Sequence, residues 1–165
     1  MVPLHILTLV FSSLEQPAIH VLEPDEPPAQ GMSRIVPVWV GPQEAMQIGI
    51  AIEGLKPPRP LTHDLFLNAL TNLDARVDHV VIHDVANTTF FAKLVLRSHG
   101  RLIELDARPT DALSLAVREG APYYIERDVL DRASFPFLFK EAKNKELEIK
   151  EFHSFVKDLN PEDLL

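Results

Sequence analysis

The sequence predicts an α+β domain, with strands paired mainly as antiparallel neighbours and helices set between them. Three observations carry that reading. Residues 89–98 alternate Phe90, Ala92, Leu94 and Leu96 with Phe91, Lys93, Val95 and Arg97, the period of a half-buried antiparallel strand. Short breaks at Ala86-Asn87-Thr88 and His99-Gly100 separate that segment from extended neighbours, as hairpin turns would. At Pro42 and Pro109 the pattern changes to helical spacing, with proline at the first helical position, where its missing N–H costs nothing.

From the N-terminus, residues 4–11 and 18–22 are extended apolar runs joined by the polar, proline-ending segment 12–17, a loose hairpin signal. Three prolines within 23–31 remove backbone donors and hold extended conformations, so this stretch reads as a loop. Residues 34–40 are strand-like again through Ile35, Val36, Val38, Trp39 and Val40. The helix after Pro42 is apolar on much of its circumference and is expected to be largely buried, with Gly54 as its stop. Pro57, Pro58 and Pro60 exclude helix. Thr62 then reads as the N-cap of a second helix, with Asp64 in the positively polarised first turn and Leu65, Phe66, Ala69, Leu70 and Leu73 at helical spacing. Strands at 76–85, 89–98 and 101–107 form a meander, a third helix runs from Pro109 to a C′ glycine at Gly120, and 122–125 is a short last strand. Beyond residue 131 an aromatic cluster at Phe135, Phe137 and Phe139 precedes a charged stretch. There Ile149, Phe152, Val156 and Leu159 fall on one helical stripe, which must cover either its own domain or a twin subunit.

The 165 residues allow one ordinary domain plus an appendage, divided as 1–130 and a C-terminal helical extension over 131–165. The absence of cysteine excludes disulfides, thiolate zinc sites and cysteine nucleophiles, so any metal must be held by His, Asp or Glu. The net charge of −8 opposes the phosphate attraction that dominates nucleic-acid affinity. It is unevenly spread: residues 1–40 contribute −3, 41–127 only −2, and 128–165 another −3. The middle block therefore stays compatible with a polyanionic substrate, engaged weakly and in a salt-sensitive way. The first apolar run lacks a basic n-region and falls short of the roughly 20 residues that span a bilayer, so a soluble cytoplasmic protein with no membrane partner is expected.

The charged residues of the middle block gather at element ends. Glu44 follows Gly41-Pro42; Arg59, His63 and Asp64 surround the start of the second helix; Asp106, Arg108 and Asp111 flank the junction at Pro109. Carboxylates with a histidine can bind a hard cation or activate water, and arginines can neutralise phosphate oxygens, which are parts a phosphodiesterase uses. Each has a plainer reading. Glu44, Asp64 and Asp111 all sit where a first-turn acid offsets the helix dipole, and Asp106 with Arg108 reads equally as an ion pair locking a turn. His79 and His83, about 13 Å apart by strand rise, cannot share one metal without another element and read as solvent-facing.

The runs Pro37-Val38-Trp39-Val40-Gly41-Pro42-Gln43-Glu44-Ala45, Arg59-Pro60-Leu61-Thr62-His63-Asp64-Leu65, Phe90-Phe91-Ala92-Lys93-Leu94 and Asp106-Ala107-Arg108-Pro109-Thr110-Asp111-Ala112-Leu113 resemble the bifunctional nuclease domain family over about residues 4–130. The resemblance implies an α+β domain with a mixed, mainly antiparallel sheet packed with about three helices, and degradation of both DNA and RNA. It marks Glu44, Arg59, His63, Asp64, Asp84, Asp106, Arg108 and Asp111. In the nuclease reading Asp64, Asp106 and Asp111 hold a Mg²⁺- or Mn²⁺-like ion or orient water. His63 or Glu44 accepts a proton, and Arg59 and Arg108 contact phosphate. No organic cofactor is expected, and a homodimer or higher homo-oligomer is. The second reading is a non-catalytic binding or regulatory module whose charged junctions hold the fold.

Overall fold

In a computed structural model of the chain, residues 1–10, 18–27 and 32–137 are described, together with Ser154, Val156 and Asp158. Three strands come first, β1 (Val2–Val10), β2 (Ala18–Pro24) and β3 (Ser33–Val40). Two helices follow, α1 (Pro42–Ile52) and α2 (Thr62–Asn72). The meander is β4 (Ala75–Ala86), β5 (Thr89–Ser98) and β6 (Arg101–Ala107). Last come α3 (Pro109–Glu119), β7 (Tyr123–Ile125), α4 (Arg127–Ala133) and β8 (Phe135–Phe137).

Among the described residues, eight strands join one sheet in the order β6-β5-β4-β7-β1-β2-β3-β8. Every pairing is antiparallel except β4 with β7, where Val80, Val81 and Ile82 run parallel to Tyr123, Tyr124 and Ile125. The expected mixed, mainly antiparallel α+β architecture is what forms. The last strand of the expected order is thus inserted mid-sheet, and it joins the meander to the N-terminal strands.

Local chemistry explains the elements. Proline occupies the first turn of α1 and of α3, and α3 ends on Gly120 in the left-handed conformation at φ 69°. Leu61, one residue before the expected Thr62, is the N-cap of α2, because the Asp64 carboxylate reaches back to accept the Leu61 N–H at 2.9 Å. A fourth helix, α4, buries Val129, Leu130 and Ala133; its seven residues are too few to display a helical period in sequence. It spans the expected boundary at residue 130, and β8 then pairs with β3 through Ile35 and Phe135. The 12–17 turn, Phe139, Ile149, Phe152 and Leu159 lie outside the described residues. Val156, from the predicted apolar stripe, is buried against Val10, Ile19, Val21 and Ile35 of its own chain.

The main core brings Leu22, Val36, Ile82, Leu113, Ile125 and Leu130 together. A second cluster joins β4 and β5 to α3 through Val80, Leu94, Leu96, Leu115 and Ala116. The expected burial of α1 is partial: Ala45 and Ile48 are buried, whereas Met46 and Ile52 are exposed. No helix among the described residues is long and apolar enough to cross a membrane.

His20 is the exception within this core. It is fully buried on β2 between Leu9 and Val38, and neither ring nitrogen has a hydrogen-bond partner among the described residues. Burial lowers its pKa from 6.5 to about 4. The unfolded chain therefore takes up the proton first as pH falls, and stability drops between pH 6.5 and about 4. Integrated over that window the loss is about 3 kcal/mol. His20→Leu should match or exceed the wild type at neutral pH, and its advantage should widen towards pH 4. Thermal melts by circular dichroism across this range test it, and a pH-independent difference would refute the assignment.

Candidate functional site

The helices α1, α2 and α3 each place a carboxylate at the third helical position: Glu44, Asp64 and Asp111 respectively. An acid there lies against the unpaired N–H groups and the positive end of the helix dipole. The N-termini of α1 and α3 meet through Arg108, the residue that caps α3. Its Nε donates to Asp111 Oδ2 at 2.7 Å and its Nη2 to Asp111 Oδ1 at 3.2 Å, while Nη1 donates to Glu44 Oε1 at 3.2 Å. The N-terminus of α2 joins from the other side, where His63 Nε2 lies 3.4 Å from Asp111 Oδ1. Glu44, Arg108, Asp111 and His63 thus form one chain of contacts across three helix starts.

The electrostatics follow from these contacts. Burial acts to raise the Asp111 pKa, but the hydrogen bonds and charge of Arg108, with a smaller contribution from His63, hold it below the ordinary aspartate value. Reciprocally, the bidentate bond to Asp111 and the nearby Glu44 raise Arg108. The Arg108 side chain is nonetheless 66% exposed, so its pairs contribute only about 0–1 kcal/mol to stability. His63 is mostly buried, and its Nδ1 has no partner among the described residues. At Gly41 a Cβ would collide with the Glu44 carboxylate, so the bare backbone there gives Glu44 its position beside Arg108. A cavity of about 230 Å³ opens at this junction, lined by Gly41, Glu44, Phe90 and Arg108 among others.

The other expected residues lie elsewhere. Asp64 turns to Arg118, whose Nε donates to Asp64 Oδ1 at 3.0 Å, and its second oxygen caps α2. Asp84 pairs with Arg132 of α4 at 2.9 Å and accepts the Val85 N–H. These two bonds hold its pKa below the ordinary aspartate value, that of Arg132 first. Asp106 is exposed on β6 opposite Lys93, whose ammonium binds Glu104 instead. Arg59 is exposed in the loop before α2. No three His, Asp or Glu side chains among the described residues form a group able to hold a metal ion. Asp64, Asp106 and Asp111, expected to hold a cation or orient water, face Arg118, the strand partner Lys93 and Arg108 respectively.

Arg118 is the residue that sequence reasoning missed. Only 8% exposed, it also donates to the Ser114 carbonyl at 2.9 Å and to the Gln47 carbonyl at 3.1 Å, so one guanidinium ties α1, α2 and α3. Its signal in the sequence was weak, since a basic residue in the last turn of a helix is ordinarily read as a dipole partner.

Together the fold and this junction define a small α+β domain that presents a guanidinium, two carboxylates and an imidazole where three helices begin. The chain belongs to the bifunctional nuclease domain family, whose profile matches residues 28–137. It is 34% identical over 137 residues to a protein of Mycobacterium tuberculosis strain H37Rv named "Uncharacterized protein Rv1829", a match covering 79% of this chain and 80% of that one. The corresponding protein of strain CDC 1551, named "Uncharacterized protein MT1877", matches to the same extent.

Two arginines in one region should separate structure from chemistry. Arg118→Ala leaves Asp64 and two carbonyls without their buried donor and should destabilise by about 2–4 kcal/mol. Arg108→Ala should change stability by less than about 1 kcal/mol. Urea denaturation of both variants checks the contrast, and equal losses would contradict it.

Proposed function

We propose that the domain is a nuclease hydrolysing phosphodiester bonds of DNA and RNA at the Glu44, Arg108, Asp111 and His63 cluster. Membership in the bifunctional nuclease family supports the reaction class. The observation that supports the site is an exposed guanidinium held between two carboxylates at the mouth of a cavity, where its pairing adds little to stability. Such a group suits the charge that develops on a phosphoryl oxygen during attack.

In this reading Asp111 fixes the Arg108 fork, with His63 behind Asp111, and Arg108 binds the scissile phosphate. Glu44, on the cavity side, takes a proton from water as its oxygen bonds to phosphorus. The bond from phosphorus to the leaving oxygen breaks, and that oxygen takes a proton from solvent. His63 is less suited to the proton-acceptor role, because Nε2 faces Asp111 and Nδ1 is buried. A Mg²⁺- or Mn²⁺-like ion, where bound, would add charge stabilisation at the same phosphate, and each step above is carried by the residues named.

Purified protein with single-stranded DNA or RNA, with and without EDTA, is the direct test. Glu44→Gln and Arg108→Ala should each lose about 100-fold or more in cleavage rate while keeping their melting temperatures. Variants that cleave as fast as the wild type would identify a contaminating nuclease. Cleavage abolished by EDTA would return a cation to the reaction.

The reading as a non-catalytic module has its own support, since each of the three carboxylates lies in the first turn of its helix and both oxygens of Asp64 bond within the scaffold. It requires no turnover under any metal condition. A homo-oligomer also belongs to the proposal, supported by the exposed apolar residues of the edge strand β6, Leu102, Ile103 and Leu105. Light scattering should give a mass of two chains or more, and a monomer mass would remove it.

A further inference from the structure

We propose that the cavity beside Arg108 receives one unpaired nucleotide of a single-stranded substrate, and that Thr88 is the residue that positions it there; this rests on the nuclease reading above. The cavity lies where the β3–α1 junction, the β4–β5 turn and the β6–α3 junction meet. Its lining joins apolar Val40 and Phe90 to the polar Glu44, Arg108, Thr88 and Thr89. An apolar surface beside hydroxyls and a guanidinium suits a base or sugar whose phosphate sits at Arg108. Bases stacked within a duplex are not available to such a recess, so the substrate it fits is an unpaired strand.

The second observation is the backbone of the β4–β5 turn. Asn87 has φ 46° and Thr88 φ 67°, while the β5–β6 turn places His99 at 48° and Gly100 at 76°. Both turns solve the hairpin in the same way, with two left-handed central residues, a form that favours glycine in the second place. The turn at the far end of the meander follows that preference with Gly100. The turn lining the Arg108 cavity departs from it, and a β-branched side chain at such a φ is strained. The Thr88 hydroxyl has no hydrogen-bond partner among the described residues, so no described contact within the chain accounts for threonine at this position. A strained residue facing a cavity at a reactive cluster is placed to touch what enters it.

The test compares wild type, Thr88→Gly and Thr88→Ser in melting temperature and in binding of a short fluorescein-labelled single strand with cleavage-resistant phosphorothioate linkages, read by anisotropy. Thr88→Gly should melt higher, because strain is relieved, and bind about five-fold more weakly, the size of one lost hydrogen bond. Thr88→Ser should keep wild-type binding. If Thr88→Gly binds as tightly as the wild type, Thr88 is only a turn residue and this inference falls while the nuclease reading stands. If the wild type binds no strand at all, both fall.

Discussion

The guanidinium of Arg118 is the interaction on which the arrangement of the helices depends. Helix α2 has no fully buried residue, and Leu65 and Leu73 are mostly exposed, so apolar burial alone fixes it only loosely. Leu67 and Leu70 pack, only partly buried, against the second cluster, and polar ties add to them: Asp64 on Arg118, and His63 against Asp111. Because Arg118 also binds the Gln47 carbonyl, the same planar fork ties the start of α2 to the middle of α1 and the last turn of α3. A buried charge of this kind is costly to strand without its partners, which makes the arrangement discrete and not merely favourable.

The three helix starts show how one chemical solution is put to different uses. Glu44, Asp64 and Asp111 occupy equivalent positions and satisfy the same dipole, yet Asp64 binds its own helix's backbone and the buried Arg118, whereas both oxygens of Asp111 accept from the exposed Arg108. Glu44 and Asp111 face an arginine that remains largely in solvent. Position in the helix explains why each acid is tolerated, and the partner it meets determines what it can do.

Local pattern made most of this fold legible. The prolines at 42 and 109, the left-handed glycine at 120 and the alternation along β5 each act within a few residues, and the elements they predict form as read. The insertion of β7 beside β4 was not legible, because three residues carry too little pattern to specify a parallel neighbour. At the candidate site, the sequence placed Glu44, His63, Arg108 and Asp111 at element ends, and they converge. It could not separate them from Asp64, Asp84 and Asp106, which share their residue type and setting. That distinction depends on the side-chain directions of Arg118 and Arg132, which tertiary packing fixes.

The short strand β7 also has a bearing on how the sheet comes into being. The meander β4-β5-β6 pairs residues close in sequence, as the N-terminal strands do, and each can form early by local search. The two halves meet only where Val2 lies opposite Ile125 and Pro3 opposite Tyr124, across nearly the whole domain in sequence. As the chain is synthesised, β1 therefore keeps one open edge until residue 125 is available. The joining of the halves is a late, non-local event that rests on a handful of backbone bonds and the apolar contacts behind them.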